Sequence, residues 1–287
     1  WGGTRLRDEY GKKCDYDKVA ESWELSCHKD GPSVVADGEY KGLTLNEYIE
    51  KAGKGVLGKN CERFENFPIL IKLIDAKDNL SVQVHPDNDY AMRVEGEYGK
   101  TEMWYVVDCD EGATLLYGFK HEITKEEFAR RIADNTLLEV TNAVPVKKGD
   151  VFFIKSGTLH AIGKGILIAE IQQNSNTTYR IYDYGRVGKD GKPRELHVNK
   201  ALDVTKLAPA EQYPETPVEK KDGYDIKLLS KCEYFTTYRV NVETKAELDA
   251  DENSFNSILV LEGEPAISGG ETVSAKKGES VFISAGT

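Results

Sequence analysis

The sequence predicts a mainly β protein, built as two β-sandwich or barrel units with a few peripheral helices. Three observations carry that expectation. Short runs of β-branched and aromatic residues, bounded by turn formers, recur along the chain. The 26 glycines supply the turns that such strands need. One β segment also occurs twice. Residues 147–158 read KKGDVFFIKSGT and residues 276–287 read KKGESVFISAGT, identical at most positions without a gap. A similar strand and turn precedes each copy, at 104–118 and 257–270. Self-similarity of this kind marks a duplicated structural unit.

The strands are expected at 69–74, 80–85, 102–107, 151–154 and 166–172, each apolar or alternating and ended by Gly, Pro, Asn or Asp. Two helices are marked by capping boxes. Thr44 with Glu47 opens the first, with Leu43 and Tyr48 as its staple and Gly53 as its stop. Thr124 with Glu127 opens the second, which runs to about Asn135. The segment 208–225 carries three prolines and many charges and is expected to be a linker. The domains are therefore expected at 1–207, which holds the helical additions, and at 226–287. The second copy stops at Thr287 where the first continues into Leu159 and His160, so the second domain is expected to be incomplete at its C-terminal end.

Net charge is −11, which leaves no basic face for nucleic acid and disfavours an anionic membrane surface. A small anionic ligand remains open, at a locally basic pocket. The five cysteines form no Cys-x-x-Cys pair, which fits a reducing, cytoplasmic setting and argues against both a disulfide framework and a thiolate zinc site. The chain is expected to act as a monomer or a weak homo-oligomer.

Ser81, Gln83 and His85 alternate with Leu80, Val82 and Val84, so period two puts the polar three on one face. By itself this is equally an edge strand with a wet face. Glu102 shares its strand face with Trp104 and Val106, where a carboxylate must be paired, solvated or a ligand. His160 follows a Ser-Gly-Thr turn, where a histidine is more often a satisfied polar group. Taken together, Gln83, His85, Glu102 and His160 are nitrogen and oxygen donors only. Such a set suits one divalent ion, zinc at an open site above all, with manganese, iron or cobalt as further options. The second copy lacks a matching histidine, so the site belongs to the first.

The pieces LSVQVHPD (80–87), KTEMWYV (100–106), GTLHA (157–161) and EIQQNSNTTYRIYDYGR (170–186), with WGGT at the start and ESWELS at 21–26, together resemble the type I mannose-6-phosphate isomerases in their short bacterial form. The resemblance covers essentially the whole chain in order. It implies two jelly-roll domains of the cupin type, zinc as the cofactor and a phosphorylated hexose as the substrate. It implies Gln83, His85, Glu102 and His160 as the ligands, with the Gln83 amide the softest of the four. It implies Arg180 as the active-site arginine, Lys100 and Glu170 as pocket residues, and Ser81 as a phosphate contact. Two departures concern hydrogen bonding around the sugar: Ser175-Asn176 stands where many members have Ser-Asp, and Ile162 stands where longer forms have tyrosine.

The implied reaction moves a proton between C1 and C2 of an open-chain sugar through a cis-enediolate. Arg180 can stabilise the developing charge or grip phosphate, and Arg186 and Lys100 are further phosphate candidates. Glu170 is preferred as the base, with Lys100 as the other choice. A non-catalytic phosphosugar sensor and an iron-dependent redox enzyme of the same fold are the competing functions. A Gly-x-Gly-x-x-Gly at 53–58 follows a helix rather than a strand, so it is no dinucleotide fingerprint. His28, His121 and His197 lack ligand partners at useful spacing and are expected to be surface or structural.

Overall fold

The computed structural model describes residues 1–188 and 190–287. It is mainly β. The strands run β1 Glu21–Leu25, β2 Ile69–Ala76, β3 Val82–Val84, β4 Glu102–Cys109, β5 Thr114–Phe119, β6 Thr141–Pro145, β7 Val151–Ile154, β8 His160–Ala161, β9 Ile166–Gln173 and β10 Tyr179–Tyr182. They continue with β11 Val218–Lys221, β12 Tyr224–Lys231, β13 Thr236–Val242, β14 Asn256–Leu259, β15 Ala266–Ser268, β16 Thr272–Ser274 and β17 Ser280–Ile283. The helices are α1 Arg5–Asp8, α2 Leu45–Ala52, α3 Asn88–Val94, α4 Lys125–Ala133 and α5 Val198–Val204. No helix among the described residues is long and apolar enough to cross a membrane.

Both helices marked by capping residues form. Thr44 accepts from the Glu47 N–H while Glu47 reaches back to the Thr44 N–H, a complete box, and Gly53 caps the other end of α2. Thr124 caps α4 by accepting from Glu127 N–H. Three helices carried no such expectation. One of them, α3, is capped by Asp87, which accepts from Tyr90 N–H.

Contacts divide the chain into two compact units, residues 1–3 with 74–213, and residues 4–73 with 214–287. The expected division put residues 1–207 together. The difference has a physical cause in the aromatic core of the second unit. Phe67 from the N-terminal segment packs on Phe255 at 5.5 Å, Phe255 stacks on Phe282 at 5.1 Å, and Tyr48 of α2 meets Phe282 edge-on at 6.0 Å. The expected linker is also more structured than its prolines suggested, because β11 lies inside it and pairs with β12.

In the first unit, β9, β4 and β7 lie in that order in one antiparallel sheet, and β10-β3-β8-β5-β6 form another. An apolar core lies between them, made of Trp104, Val106, Phe152, Ile154, Ile166 and Ile168 against Leu115, Tyr117 and Ile162. A second core backs the β3-containing sheet with helices: Val82, Val84, Leu159, Ala161, Tyr179 and Ile181 pack against Phe128 and Ala201. Alternation then decides which side chains enter the space between the sheets. With Val82 and Val84 turned to the helices, Gln83 faces the other way. His160, between Leu159 and Ala161, does the same.

The duplicated segment repeats in structure down to single hydrogen bonds. Gly149 (φ 92°) and Gly278 (φ 90°) occupy matching left-handed turns. Their N–H groups donate to Val106 at 2.8 Å and to Val260 at 2.7 Å. The Asp150 carboxylate accepts from Lys147 N–H at 2.9 Å, and the Glu279 carboxylate accepts from Lys276 N–H at 2.8 Å.

Phe128 is fully buried and meets Phe119 edge-on at 5.7 Å. Phe128→Ala should therefore cost about 3–5 kcal/mol of stability, while Lys125→Ala on the exposed face of the same helix should stay within about 0.5 kcal/mol. Urea unfolding of the two variants against wild type checks the contrast.

Candidate metal centre

The site grows from a register. Gln83 on β3 pairs with His160 on β8 and, on its other side, with Arg180 on β10. His160 pairs in turn with Tyr117 on β5. One row across the sheet therefore reads Arg180, Gln83, His160, Tyr117. On the facing sheet Glu102 lies opposite Gln172, and Trp104 lies opposite Glu170. The two faces touch where the His160 ring meets Trp104 edge-on at 5.2 Å.

His85, Glu102 and His160 converge, with ligand atoms all within 4.8 Å of one another. None is more than 1% exposed. His85 Nε2 and His160 Nε2 are 3.1 Å apart. His160 Nε2 lies 3.3 Å from Glu102 Oε1, and His85 Nε2 lies 3.6 Å from Glu102 Oε2. Each imidazole is oriented from behind, because His85 Nδ1 faces the Thr177 carbonyl at 3.0 Å and His160 Nδ1 faces the Thr158 carbonyl at 2.8 Å. A carbonyl only accepts, so both rings carry their proton on Nδ1 and turn an Nε2 lone pair inward. Burial, ahead of every other influence, draws the His160 pKa down to about 4 and keeps the ring neutral.

These donors fit a divalent cation. Two lone pairs and a carboxylate facing one another repel unless a positive charge lies between them. Two nitrogens on a tetrahedral zinc, each at about 2.0–2.1 Å, would stand roughly 3.3 Å apart, close to the spacing found. The carbonyl behind each ring is the usual outer support of a ligating histidine.

The neighbouring residues differ in how they join this centre. Lys100 is 4% exposed and places Nζ 3.6 Å from Glu102 Oε2. Glu170 is buried and accepts from the Trp104 indole N–H at 2.8 Å. Arg180 donates Nη1 to the Glu195 carbonyl at 3.0 Å, while its buried Nε has no hydrogen-bond partner among the described residues. Burial and then Arg194 lower its pKa. Ser81 is buried just ahead of β3. Arg186 instead turns to the protein, donating Nε to Asp183 at 3.1 Å and Nη1 to the Asn79 carbonyl at 2.6 Å.

Asp183 and Arg194 had no expectation attached. Asp183 also accepts from Arg194, at 2.6 and 2.7 Å. Burial opposes its ionisation, but the hydrogen bonds from Arg194 and Arg186 prevail and hold its pKa below the ordinary value. Gln172 stands opposite Glu102 and is fully buried. Its alternation with Glu170 was a usable signal, whereas the Thr158 and Thr177 carbonyls carry none, since any residue has a carbonyl. His197 is structural: its Nδ1 accepts from Arg180 N–H and its own N–H donates to the Arg180 carbonyl.

Comparison with known proteins gives the chain its relatives. The family model for the type I phosphomannose isomerase catalytic domain matches residues 1–112, and that for the mannose-6-phosphate isomerase cupin domain matches residues 225–287. A mannose-6-phosphate isomerase of Streptococcus mutans is 39% identical over 290 residues, covering 99% of this chain and 88% of the relative. One from Bacillus subtilis is 40% identical, covering 99% and 89%. The crystal structure of a Bacillus subtilis mannose 6-phosphate isomerase superposes with a TM-score of 0.92 at 39% identity, over 99% of this chain and 90% of that one.

His160 binds no proton in the folded state until about pH 4, whereas its ordinary value is 6.5. The unfolded chain therefore takes up the proton first, and stability falls as pH drops from about 6.5 toward 4. In metal-free protein, urea midpoints should decline over that window more steeply in wild type than in His160→Gln. Parallel declines would contradict the assignment.

Proposed function

The chain belongs to the type I mannose-6-phosphate isomerase family, and from that premise we propose that it interconverts mannose 6-phosphate and fructose 6-phosphate at the centre formed by His85, Glu102 and His160. The single observation that carries the reading is the pair of inward-facing Nε2 atoms beside a buried carboxylate, set one strand away from a partly buried arginine.

We assign zinc as the ion, held by His85, Glu102 and His160, with Gln83 as a fourth and softer ligand. When bound, it supplies a Lewis acid that polarises the carbonyl and hydroxyl oxygens at C1 and C2 of the open-chain sugar. Glu170 is assigned as the base. The Trp104 indole N–H donates to its carboxylate at 2.8 Å, a bond that favours the ionised form. That carboxylate takes the proton from C2 of the aldose and returns it to C1, while a proton passes from the oxygen on C2 to the oxygen on C1. Negative charge gathers on oxygen between these steps. Arg180 meets it with a permanent positive charge and a buried Nε–H. Lys100, beside Glu102, adds a second cation and is the alternative base. For the phosphate we assign Ser81 and Arg186. Asp183 keeps Arg186 and Arg194 grouped near Arg180, a local positive field in an acidic protein.

We further read the two facing sheets of the first unit as a cupin jelly roll and the second unit as its relative. The five cysteines are unbridged, which supports a cytoplasmic enzyme.

Removing the metal with a chelator should abolish turnover in an assay coupled to fructose 6-phosphate formation, and added zinc should restore it. Full activity in metal-free protein would refute the proposal. Arg180→Ala should lower kcat by about 10²–10³-fold with zinc content unchanged. Arg180→Lys should recover little, because a point charge does not replace the planar fork. Tight binding of mannose 6-phosphate by the zinc-loaded wild type without turnover would favour the sensor reading instead.

A further inference from the structure

Gln172 is fully buried on β9 and lies directly opposite Glu102. Its side-chain nitrogen donates to two backbone carbonyls, Gln173 at 2.8 Å and Ser175 at 2.7 Å. An amide nitrogen carries two protons, so both are committed. The two bonds clamp the turn by which the chain leaves β9. Ser175, also fully buried, turns its hydroxyl to accept Thr177 N–H at 3.2 Å. The carbonyl of Thr177 is the group that faces His85 Nδ1 at 3.0 Å. The links therefore run in sequence from Gln172 through Ser175 and Thr177 to His85.

We propose that Gln172 and Ser175 are positioning residues for His85, acting through the Thr177 carbonyl. The proposal rests on reading His85 as a metal ligand. The two histidines need different support. His160 lies within β8, paired on both sides, and its carbonyl partner is only two residues away. His85 lies one residue past the end of β3, outside the ladder. Its carbonyl partner sits on the connection between β9 and β10, 92 residues further along the chain. A connecting segment keeps a fixed orientation only where its backbone is tied down. Gln172 and Ser175 supply those ties from beneath the turn. Gln173 adds a tie on the other side, its Oε1 accepting from Thr101 N–H at 2.9 Å and its N–H donating to the Thr101 carbonyl at 3.1 Å.

The test is competition of the intact chain with a chromophoric chelator, using zinc alone as the probe. Ser175→Ala removes the acceptor for Thr177 N–H, and Gln172→Met keeps side-chain volume while removing both donors. Each should weaken zinc binding by about 10–100-fold, the range for outer supports of metal ligands. Placed in a His85→Ala background, Ser175→Ala should cause no further weakening, because its only route to the ion has gone. Should Gln172→Met fail to fold, the Ser175→Ala pair of measurements carries the test alone. Wild-type affinity in Ser175→Ala overturns the positioning role while leaving the metal centre standing. Equal weakening in both backgrounds also overturns it, by exposing a general structural defect. A wild type that binds no zinc removes the metal reading and this inference together.

Discussion

Two imidazole nitrogens 3.1 Å apart, both with their protons turned away, form an arrangement that a protein does not keep without reason. In a dry interior the lone pairs and the nearby Glu102 carboxylate have little water to screen them. A cation placed between them would turn this repulsion into attraction. Much of the surrounding structure can be understood as what is needed to hold these groups in place. The β3–β8 pairing sets His160 beside Gln83, β4 carries Glu102 in from the facing sheet, and Trp104 seats His160 from below. Ile154, Ile166 and Ile168 belong to the apolar core that Trp104 shares.

The same burial separates the roles of the charged residues near the centre. Glu170 and Lys100 are both nearly inaccessible, yet each has a distinct partner, the Trp104 indole for one and the Glu102 carboxylate for the other. Arg180 is only partly buried and keeps one donor uncommitted among the described residues. Arg186 and Arg194 share a single buried carboxylate, Asp183, which fixes them without cancelling both charges. Three guanidinium groups therefore lie close together around Asp183, although the chain as a whole carries −11.

What the sequence disclosed, and what it withheld, follows from the range of the interactions involved. Alternation along 80–85 and 102–107 is a local property, and it placed Gln83 and Glu102 on inward faces that the two sheets now share. Capping boxes are local as well, so α2 and α4 were legible from Thr44 and Thr124. The division of the chain was not legible, because the packing of Phe67 and Tyr48 on Phe255 and Phe282 joins residues some 190 to 230 positions apart and leaves no periodic trace. The orientation of His85 by Thr177 is hidden for a related reason: the partner is a backbone carbonyl, which every residue possesses.

The duplication shows which part of the design is general and which is specific. The strand pairing of β4 with β7 sets Glu102 against Ile154 and Trp104 against Phe152. The pairing of β14 with β17 sets Asn256 against Ile283 and Ile258 against Val281. Aligned on the shared glycine turns, Asn256 occupies the place of Glu102, and Ile258 that of Trp104. The turn, its carboxylate cap and its register are kept in both copies, because they fix the backbone and nothing else. The carboxylate at this position is not kept. Asn256 instead donates its amide to the Asp249 carbonyl at 2.8 Å, a structural use of the same position. A neutral amide there offers an ion no negative charge, so the second unit keeps the strand pairing without a carboxylate at this position. The candidate metal centre is therefore not a property of the repeated β unit. It arises where that unit meets β3 and β8, which bring the two histidines to the one copy that still carries Glu102.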